Sequence, residues 1–406
     1  ELPPMRELLT IEEYLEELLR LVQPDSRVER LGLADAANRV LAEPVTAAAS
    51  VPAFDNSAMD GYAVRFAEVA TAPTRLRVIA DVPAGSPDDP DAGPGECVRI
   101  MTGAPLPSFA DTVVPVEDTD GGLTEVVIER APARPAMHVR RAGEDFADGV
   151  QVAAPGAVLS PGLVGALAAA GAVEVAVRPR PIVAVCATGD ELVSDGAPLA
   201  RGQIYESNSL ALAAALRRDG AAVVRAQPVG DRPEVLQAWL DATTSTCDLV
   251  VLTGGASVGA FDVVRDVLAA AGGVFRHVRV QPGKPQGWAV WSDGTPVVAL
   301  PGNPLSASLS YALLVRPMLD RLLGTRPPAE FTAVAEAGWT SPSGRRQLVP
   351  VRLSSAPDGC LLAHPSHLRG SASHVVTSLA EADAIAVVAE DVTEVAAGDL
   401  VRVRWL

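Results

Sequence analysis

The chain has 406 residues and a formal charge of −17, with 33 basic against 50 acidic residues. This length predicts two to four domains, and an acidic chain without a long Lys/Arg-rich run argues against nucleic acid as the main partner. No stretch approaches about 18 consecutive apolar residues, so we expect no membrane span; with an N-terminus unlike a signal peptide, a cytoplasmic protein is expected.

The N-terminal part of the chain mixes helical and β patterns. Thr10-Ile-Glu-Glu13 has the form of a capping box and predicts the start of an amphipathic helix. A second short helix is predicted at about 33–41. Residues 52–140 are rich in Val, Pro, Gly and Asp with short β-like runs, which predicts a small β-insert. Ser160 followed by Pro161 predicts the first turn of another helix.

From about residue 181 to 323, strand and helix patterns alternate. Alternation at this spacing predicts a parallel sheet with helices on both faces. Ligands of such sheets bind beyond the carboxyl ends of the strands. The last ~80 residues, after Arg326-Pro-Pro328, alternate as short strands and predict a separate small β-domain.

Three polar segments follow predicted strands of the alternating region: 188–192, 253–259, which is rich in glycine, and 300–306. A glycine-rich turn that leads into a helix presents backbone N–H groups and can hold a phosphate or another oxyanion. Strand-to-helix turns also favour Gly and Ser for structural reasons alone, which is the alternative for any single loop. None of the three matches a P-loop or a dinucleotide-binding fingerprint.

Charged side chains are concentrated near the same loops. Lys284, the single lysine beside 32 arginines, lies in Gln281-Pro-Gly-Lys-Pro285, where a cation on a stiff loop suits oxyanion binding. The alternative is a solvated surface lysine. Carboxylates at the predicted strand ends and helix starts suit Mg²⁺, although each could instead cap a helix. They are Asp190, Glu191, Asp231 and Asp262.

These segments together resemble the MoeA family of molybdopterin molybdenumtransferases, whose relatives include the gephyrin E domain. The most specific of them is Phe54-Asp-Asn-Ser-Ala-Met-Asp-Gly-Tyr62, at the edge of the predicted β-insert. Molybdopterin adenylyltransferases and CinA-like proteins share the α/β part, whereas this segment and the β-insert select MoeA. The other matching segments, in family order, are 100–105, 141–145, 188–192, 206–209, 253–259 with Asp262, 281–285 and 300–306.

The resemblance implies a multidomain α/β plus β fold. Its expected parts are a mostly helical linker and dimer domain (3–48 and 143–178), a β-insert (52–139), a three-layer α/β domain of MoaB/MogA type that binds molybdopterin (179–326) and a C-terminal β-barrel (327–406). It also implies a homodimer, with an active site between the α/β and C-terminal domains of one subunit and the β-insert of the other.

The implied reaction is the insertion of molybdate into adenylyl-molybdopterin with Mg²⁺, which yields molybdenum cofactor and AMP. The molybdopterin adenylyltransferase and apo-molybdoenzymes are the implied protein partners. The candidate catalytic residues are Asp60, Glu191, Asp231 and Asp262, the last three also being candidate Mg²⁺ ligands. The candidate molybdate site is Lys284, Pro285, Arg345 and Ser373. The candidate substrate-binding residues are Thr102, Asp145, Asp190, Ser209, Gly254, Gly255, Ser257, Gly259, Lys284, Pro301, Gly302, Asn303 and Ser306.

Some positions depart from the family pattern. Gln281 stands where several relatives carry Lys, residues 371–374 lack a Gly often seen there, and the molybdate arginine is ambiguous between Arg345 and Arg346. Two other functions remain open at this point: a scaffold protein on the same fold, or an adenylyltransferase or CinA-like nucleotide amidase that uses the α/β domain.

Overall fold

The computed structural model describes residues 8–225, 228–254, 263–367 and 375–406. The chain forms two compact units. The smaller unit is Arg30–Val177, and the larger unit combines the segment that ends at Glu29 with Arg178–Leu406. In the described ranges, no helix has the length and apolar character that crossing a bilayer requires.

Helix starts follow the capping chemistry of the sequence. Thr10 Oγ1 accepts the N–H of Glu13 at 3.2 Å while the Glu13 carboxylate accepts the N–H of Thr10 at 2.8 Å, which is the predicted capping box. Ser160 caps its helix through the N–H of Leu163. The helices are α1 (Ile11–Arg20), α2 (Phe66–Val69), α3 (Pro161–Ala169), α4 (Asn208–Arg218), α5 (Pro233–Thr243), α6 (Val263–Ala270), α7 (Pro304–Ser310), α8 (Arg316–Leu323) and α9 (Thr377–Ala380).

The smaller unit contains a five-stranded sheet in the order β7-β4-β6-β5-β8, which confirms the predicted β-insert. The pairing of β5 with β6 is parallel and the other pairings are antiparallel. The strands up to Val177 are β1 (Glu29–Gly32), β2 (Val45–Thr46), β3 (Asn56–Ser57), β4 (Gly61–Val64), β5 (Thr74–Val82), β6 (Glu96–Ile100), β7 (Thr112–Pro115), β8 (Glu125–Ile128), β9 (Val139–Arg140), β10 (Gln151–Ala153) and β11 (Glu174–Val177).

The chain around this insert is less helical than the sequence predicts. The predicted helix at 33–41 is a single 3₁₀ turn at Leu33–Asp35, because Asn38 takes a left-handed φ of 61° and the next residues form β-bridges. Besides α3, this part holds the two-stranded sheets β1-β11 and β10-β2. Helix α1 differs from the expected grouping with 143–178: it belongs to the larger unit, where Tyr14 packs in the same core as Met318 of α8.

The larger unit begins with a six-stranded sheet in the order β15-β12-β16-β20-β19-β17. Its first four strands are parallel, and β19 and β17 are antiparallel to their neighbours. The strands from Ile182 onward are β12 (Ile182–Ala187), β13 (Leu192–Val193), β14 (Ile204–Tyr205), β15 (Ala222–Arg225), β16 (Leu249–Thr253), β17 (Val274–His277), β18 (Val280–Gln281), β19 (Pro285–Val290), β20 (Pro296–Leu300), β21 (Phe331–Ala335), β22 (Trp339–Thr340), β23 (Arg346–Ser355), β24 (Leu361–Pro365), β25 (Ala384–Val388), β26 (Glu394–Val395) and β27 (Leu400–Trp405).

Two apolar layers cover this sheet, as the strand–helix alternation predicts. Alternate residues of a strand point to opposite faces. Val251 therefore packs with α4 and α7 on one face, and Leu252 packs with α5 and α6 on the other. The three-layer α/β architecture is confirmed.

The C-terminal strands close into a five-stranded barrel, which is the predicted fold of this region. The ring runs β23-β24-β21-β27-β25 and closes through the pairing of β25 with β23. A buried aliphatic cluster that includes Val349 and Val403 fills it. The short strand β18 pairs in parallel with β23, so a segment that precedes β19 of the α/β sheet in the chain is bonded to the barrel.

Candidate functional site

Three strands of the α/β sheet end side by side and place their loops in contact. The register aligns Ala187 of β12 with Thr253 of β16, and Thr253 with Leu300 of β20. A Cβ on Gly254, whose φ is +97°, would lie 2.7 Å from the carbonyl oxygen of Thr188, and one on Gly302 would lie 3.2 Å from the Gly254 Cα. The loops therefore meet backbone to backbone, an approach that side chains at these positions would block.

Asp190 and Asp231 lie at this edge of the sheet, and the carboxylate of each accepts the backbone N–H of the other. The N–H of Asp231 donates to Asp190 Oδ1 at 3.0 Å, and the N–H of Asp190 donates to Asp231 Oδ2 at 3.3 Å. The second oxygen of each carboxylate has no protein partner among the described residues. Glu191 folds back over the same turn, since a Cβ on Gly189 would lie 2.4 Å from its Oε2.

Mg²⁺ usually binds one or two protein carboxylates and keeps several waters, so Asp190 and Asp231 fit it as oxygen donors. The described ranges hold no cluster of three metal-ligating side chains. Asp262, the third candidate ligand besides Asp231 and Glu191, lies outside the described residues.

The start of α4 supports the third loop. Glu206, 5% exposed, accepts the N–H and the hydroxyl of Ser209, each at 2.7 Å. Asn208 Nδ2 donates to the carbonyl of Gly302 at 2.7 Å. The hydroxyl of Ser209 is thus engaged inside the protein, and the segment 206–209 fixes the loop after β20, which carries the candidates Pro301, Asn303 and Ser306. Glu206 is not among the predicted site residues, and its role depends on the fold, which buries it against Ser209 at the start of α4.

The loop that carries Lys284 is fixed against α7. The buried Gln286 donates through Nε2 to the carbonyl of Gly283 at 2.7 Å and to Ser310 Oγ at 2.8 Å. A Cβ on Gly283, whose φ is +104°, would lie 2.9 Å from the same hydroxyl. Lys284 is half-buried, and no described carboxylate pairs with its ammonium group. Burial, together with the cationic groups of Lys284 and Arg265, lowers the pKa of His277.

The structure separates the two candidate arginines. Arg345 Nη1 donates to Gln281 Oε1 at 3.1 Å, beside the Lys284 loop. Arg346 instead forms ion pairs with Glu12 at 2.5 Å and Glu390 at 3.0 Å. Arg345 is therefore the arginine next to the loop that holds Lys284 and Pro285. The predicted residues Gly255, Ser257, Gly259 and Ser373 lie outside the described residues.

The remaining candidates lie in the smaller unit. Asp60 accepts the N–H of Thr102 at 2.7 Å and its hydroxyl at 2.8 Å, and these two donors hold the pKa of the Asp60 carboxyl below its usual range. The carboxylate of Asp55 binds Arg141 and accepts the N–H of Ala142, so the segments 52–63 and 141–145 are joined. Asp145 lies exposed soon after Arg141, and its N–H donates to the carbonyl oxygen of Val51 at 3.0 Å.

Family models match three consecutive parts of the chain. They describe the MoeA N-terminal region (domain I and II) at residues 9–171, a probable molybdopterin binding domain at 184–321 and the MoeA C-terminal region (domain IV) at 332–406.

Relatives and solved structures match over nearly the whole chain. Molybdopterin molybdenumtransferase 2 of Mycobacterium tuberculosis is 42% identical, covering 98% of this chain and 99% of the relative. Molybdopterin molybdenumtransferase 1 of the same organism is 34% identical, covering 93% and 94%. The structure of a molybdopterin biosynthesis MoeA protein from Pyrococcus horikosii superposes with a TM-score of 0.78 at 33% identity, covering 98% of this chain and 99% of that one. The chain belongs to the MoeA family of molybdopterin molybdenumtransferases.

Proposed function

We propose that this protein inserts molybdate into adenylyl-molybdopterin and releases AMP in a Mg²⁺-dependent reaction. As a member of its family, it is a transferase of molybdenum cofactor biosynthesis. The observation that carries the proposal is the close contact of three polar loops at one edge of the sheet. In the same unit, the single lysine lies on a loop whose Gln281 is bonded to Arg345.

The negative charges of the substrates explain why an acidic protein would gather backbone N–H groups, a lysine and an arginine at one place. Molybdate carries two negative charges and must approach a dithiolene beside a pyrophosphate, so like charges repel at short range. Backbone N–H groups of the loops after β16 and β20 would hold the phosphates or the pterin. Lys284 and Arg345, with the predicted Ser373, would hold molybdate, and fixed donors of this kind lower the energy of a charged transition state.

The proposed Mg²⁺ site uses Asp190 and Asp231, with Glu191 and the predicted Asp262 completing or orienting it. When bound, Mg²⁺ would neutralise the phosphoanhydride and orient the attacking oxygen. The chain's own contribution is the reciprocal N–H bonding of Asp190 and Asp231, which fixes both carboxylates before the cation arrives.

The deciding experiment measures AMP release from adenylyl-molybdopterin with and without molybdate at fixed Mg²⁺. We expect release that requires molybdate, together with a product that reconstitutes an apo-molybdoenzyme. Tight binding without turnover would favour the scaffold function. A requirement for free ATP would favour an adenylyltransferase, because the proposed reaction consumes an already adenylylated substrate.

Asp231→Asn is expected to raise the Mg²⁺ concentration for half-maximal AMP release by about tenfold or more. The amide keeps an oxygen for the N–H of Asp190, so the loop is retained while one anionic ligand is lost. The measurement is a Mg²⁺ titration at saturating molybdate. Asp195→Asn is the matched control, since it removes an exposed carboxylate charge elsewhere in the larger unit. An unchanged Mg²⁺ dependence would remove Asp231 from the metal site.

We also propose a homodimer in which Asp60, Thr102 and Asp145 complete the site of the partner subunit. A mixed dimer tests this arrangement. One subunit would carry Asp60→Ala and the other Lys284→Ala, and activity would be restored to one site of two only if the two groups act across the interface. Equal inactivity of the mixed and parent dimers would contradict the shared site.

A further inference from the structure

The side chains of Gln281 and Arg345 are joined although 64 positions separate them in the chain. Arg345 Nη1 donates to Gln281 Oε1 at 3.1 Å, and both side chains are half-buried. The backbone fixes this pairing. Val280 is in register with Arg346 and Gln281 with Gln347, and the N–H of Arg346 donates to the carbonyl of Arg279 at 2.9 Å.

We propose that Gln281 is a positioning residue of the molybdate site: it holds the guanidinium of Arg345 beside Lys284 and offers its own amide N–H to the same oxyanion. This inference rests on the proposed function. The carbonyl oxygen of the Gln281 amide is used by Arg345, while its Nε2 has no partner among the described residues, so two donors remain available toward the anion.

A neutral amide at this position can accept from Arg345 without cancelling its charge, which neither a carboxylate nor an ammonium group can do. A carboxylate here would pair with Arg345 and cancel the charge that an oxyanion needs, whereas an ammonium group would repel the guanidinium and leave Arg345 without an acceptor. The neighbouring Arg346 has no such role, because Glu12 and Glu390 already pair with it. One bonded amide therefore gives Arg345 a fixed direction without cancelling the charge of its guanidinium.

The experiment titrates the full chain with sodium molybdate alone by calorimetry, independently of turnover. Gln281→Leu removes the acceptor and the spare donor, and we expect molybdate to bind about fivefold more weakly. Gln281→Glu is expected to weaken binding by more than about tenfold. Gln237→Glu on the exposed face of α5 makes the same charge change and is expected to leave binding unchanged. The thermal midpoint of each variant identifies any loss of folding.

A double-mutant cycle separates positioning from general support of the fold. If Gln281 acts mainly through Arg345, Gln281→Leu changes molybdate binding in the natural background and has much less effect in the Arg345→Ala background. Equal effects in both backgrounds would overturn the inference. So would unchanged binding by Gln281→Leu, or a natural protein that binds no molybdate.

The two proposals fail in different ways. A protein that binds molybdate through the coupled pair, yet releases no AMP, would retain the positioning role of Gln281 and lose the proposed reaction. A protein that turns over normally in the Gln281→Leu variant, with the same KM for molybdate and the same dissociation constant, would retain the reaction and lose the positioning role.

Discussion

Lys284→Ala is expected to lower kcat/KM for molybdate by about 100-fold, with a much smaller change in the affinity for the pterin nucleotide. The loop that presents Lys284 is held by Gln286 and Ser310, not by the lysine side chain, so the loop should keep its structure when the ammonium group is removed. The variant would then lose only the positive charge that Lys284 places beside molybdate. Initial rates of AMP release over a molybdate series at saturating nucleotide measure it.

Two variants give this experiment its controls. Lys284→Arg keeps the charge on a wider, planar group and should recover only part of the activity. Arg201→Ala removes one exposed positive charge from the same unit and should leave the kinetics unchanged. If Lys284→Ala raised the KM for nucleotide and for molybdate equally, Lys284 would act on the phosphates and its assignment to molybdate would be wrong.

Gly61→Ala is expected to destabilise the β-insert by about 3 kcal/mol or more. Gly61 lies in β4 between β6 and β7, and a Cβ there would be 2.0 Å from the carbonyl oxygen of Val114. Because the obstacle is backbone in the adjacent strand, the sheet must separate to accept a methyl group. Asp60 precedes this glycine, so its bonds to Thr102 should be lost together with the strand pairing.

Hydrogen exchange resolves this effect in a chain of several units better than a single unfolding curve does. Amides of β4 and β7 should exchange much faster in Gly61→Ala, while those of β12 and β16 keep their protection. Gly165→Ala is the matched control. It lies exposed in α3 of the same unit, and a Cβ there would meet no other atom within 4 Å, so alanine should stabilise the helix by about 0.5–1 kcal/mol. Equal protection of β4 in both variants would contradict the steric argument.

The sequence predicts the parts of the fold that depend on local patterns. The capping box at Thr10, the Ser160-Pro161 helix start and the alternation of strands and helices each need only neighbouring residues. The predicted helix at 33–41 fails because apolar spacing there competes with the left-handed conformation of Asn38. The placement of α1 depends on which core its apolar face meets, and no local pattern contains that information.

The candidate site also combines features that the sequence predicts with features that only the folded chain determines. The three loops could be predicted to meet, because parallel strands bring their carboxyl ends to one edge. Which of Arg345 and Arg346 lies beside the Lys284 loop could not be predicted. It depends on the pairing of β18 with β23 and on the ion pairs that Arg346 forms with Glu12 and Glu390. The reciprocal bonding of Asp190 and Asp231 likewise depends on two loops whose spacing only the folded sheet determines.

The segment that carries Lys284 is anchored at its two ends in different substructures. Gln281 is paired with the barrel through β23, and Pro285 begins β19, which is paired with β17 and β20. Lys284 lies between these two anchors, so a tilt of the barrel against the α/β layers would move the lysine relative to Arg345, which precedes β23. If these two groups hold molybdate as proposed, the affinity for molybdate would depend on the orientation of the barrel. Ligands that change this orientation would then alter how long molybdate stays bound.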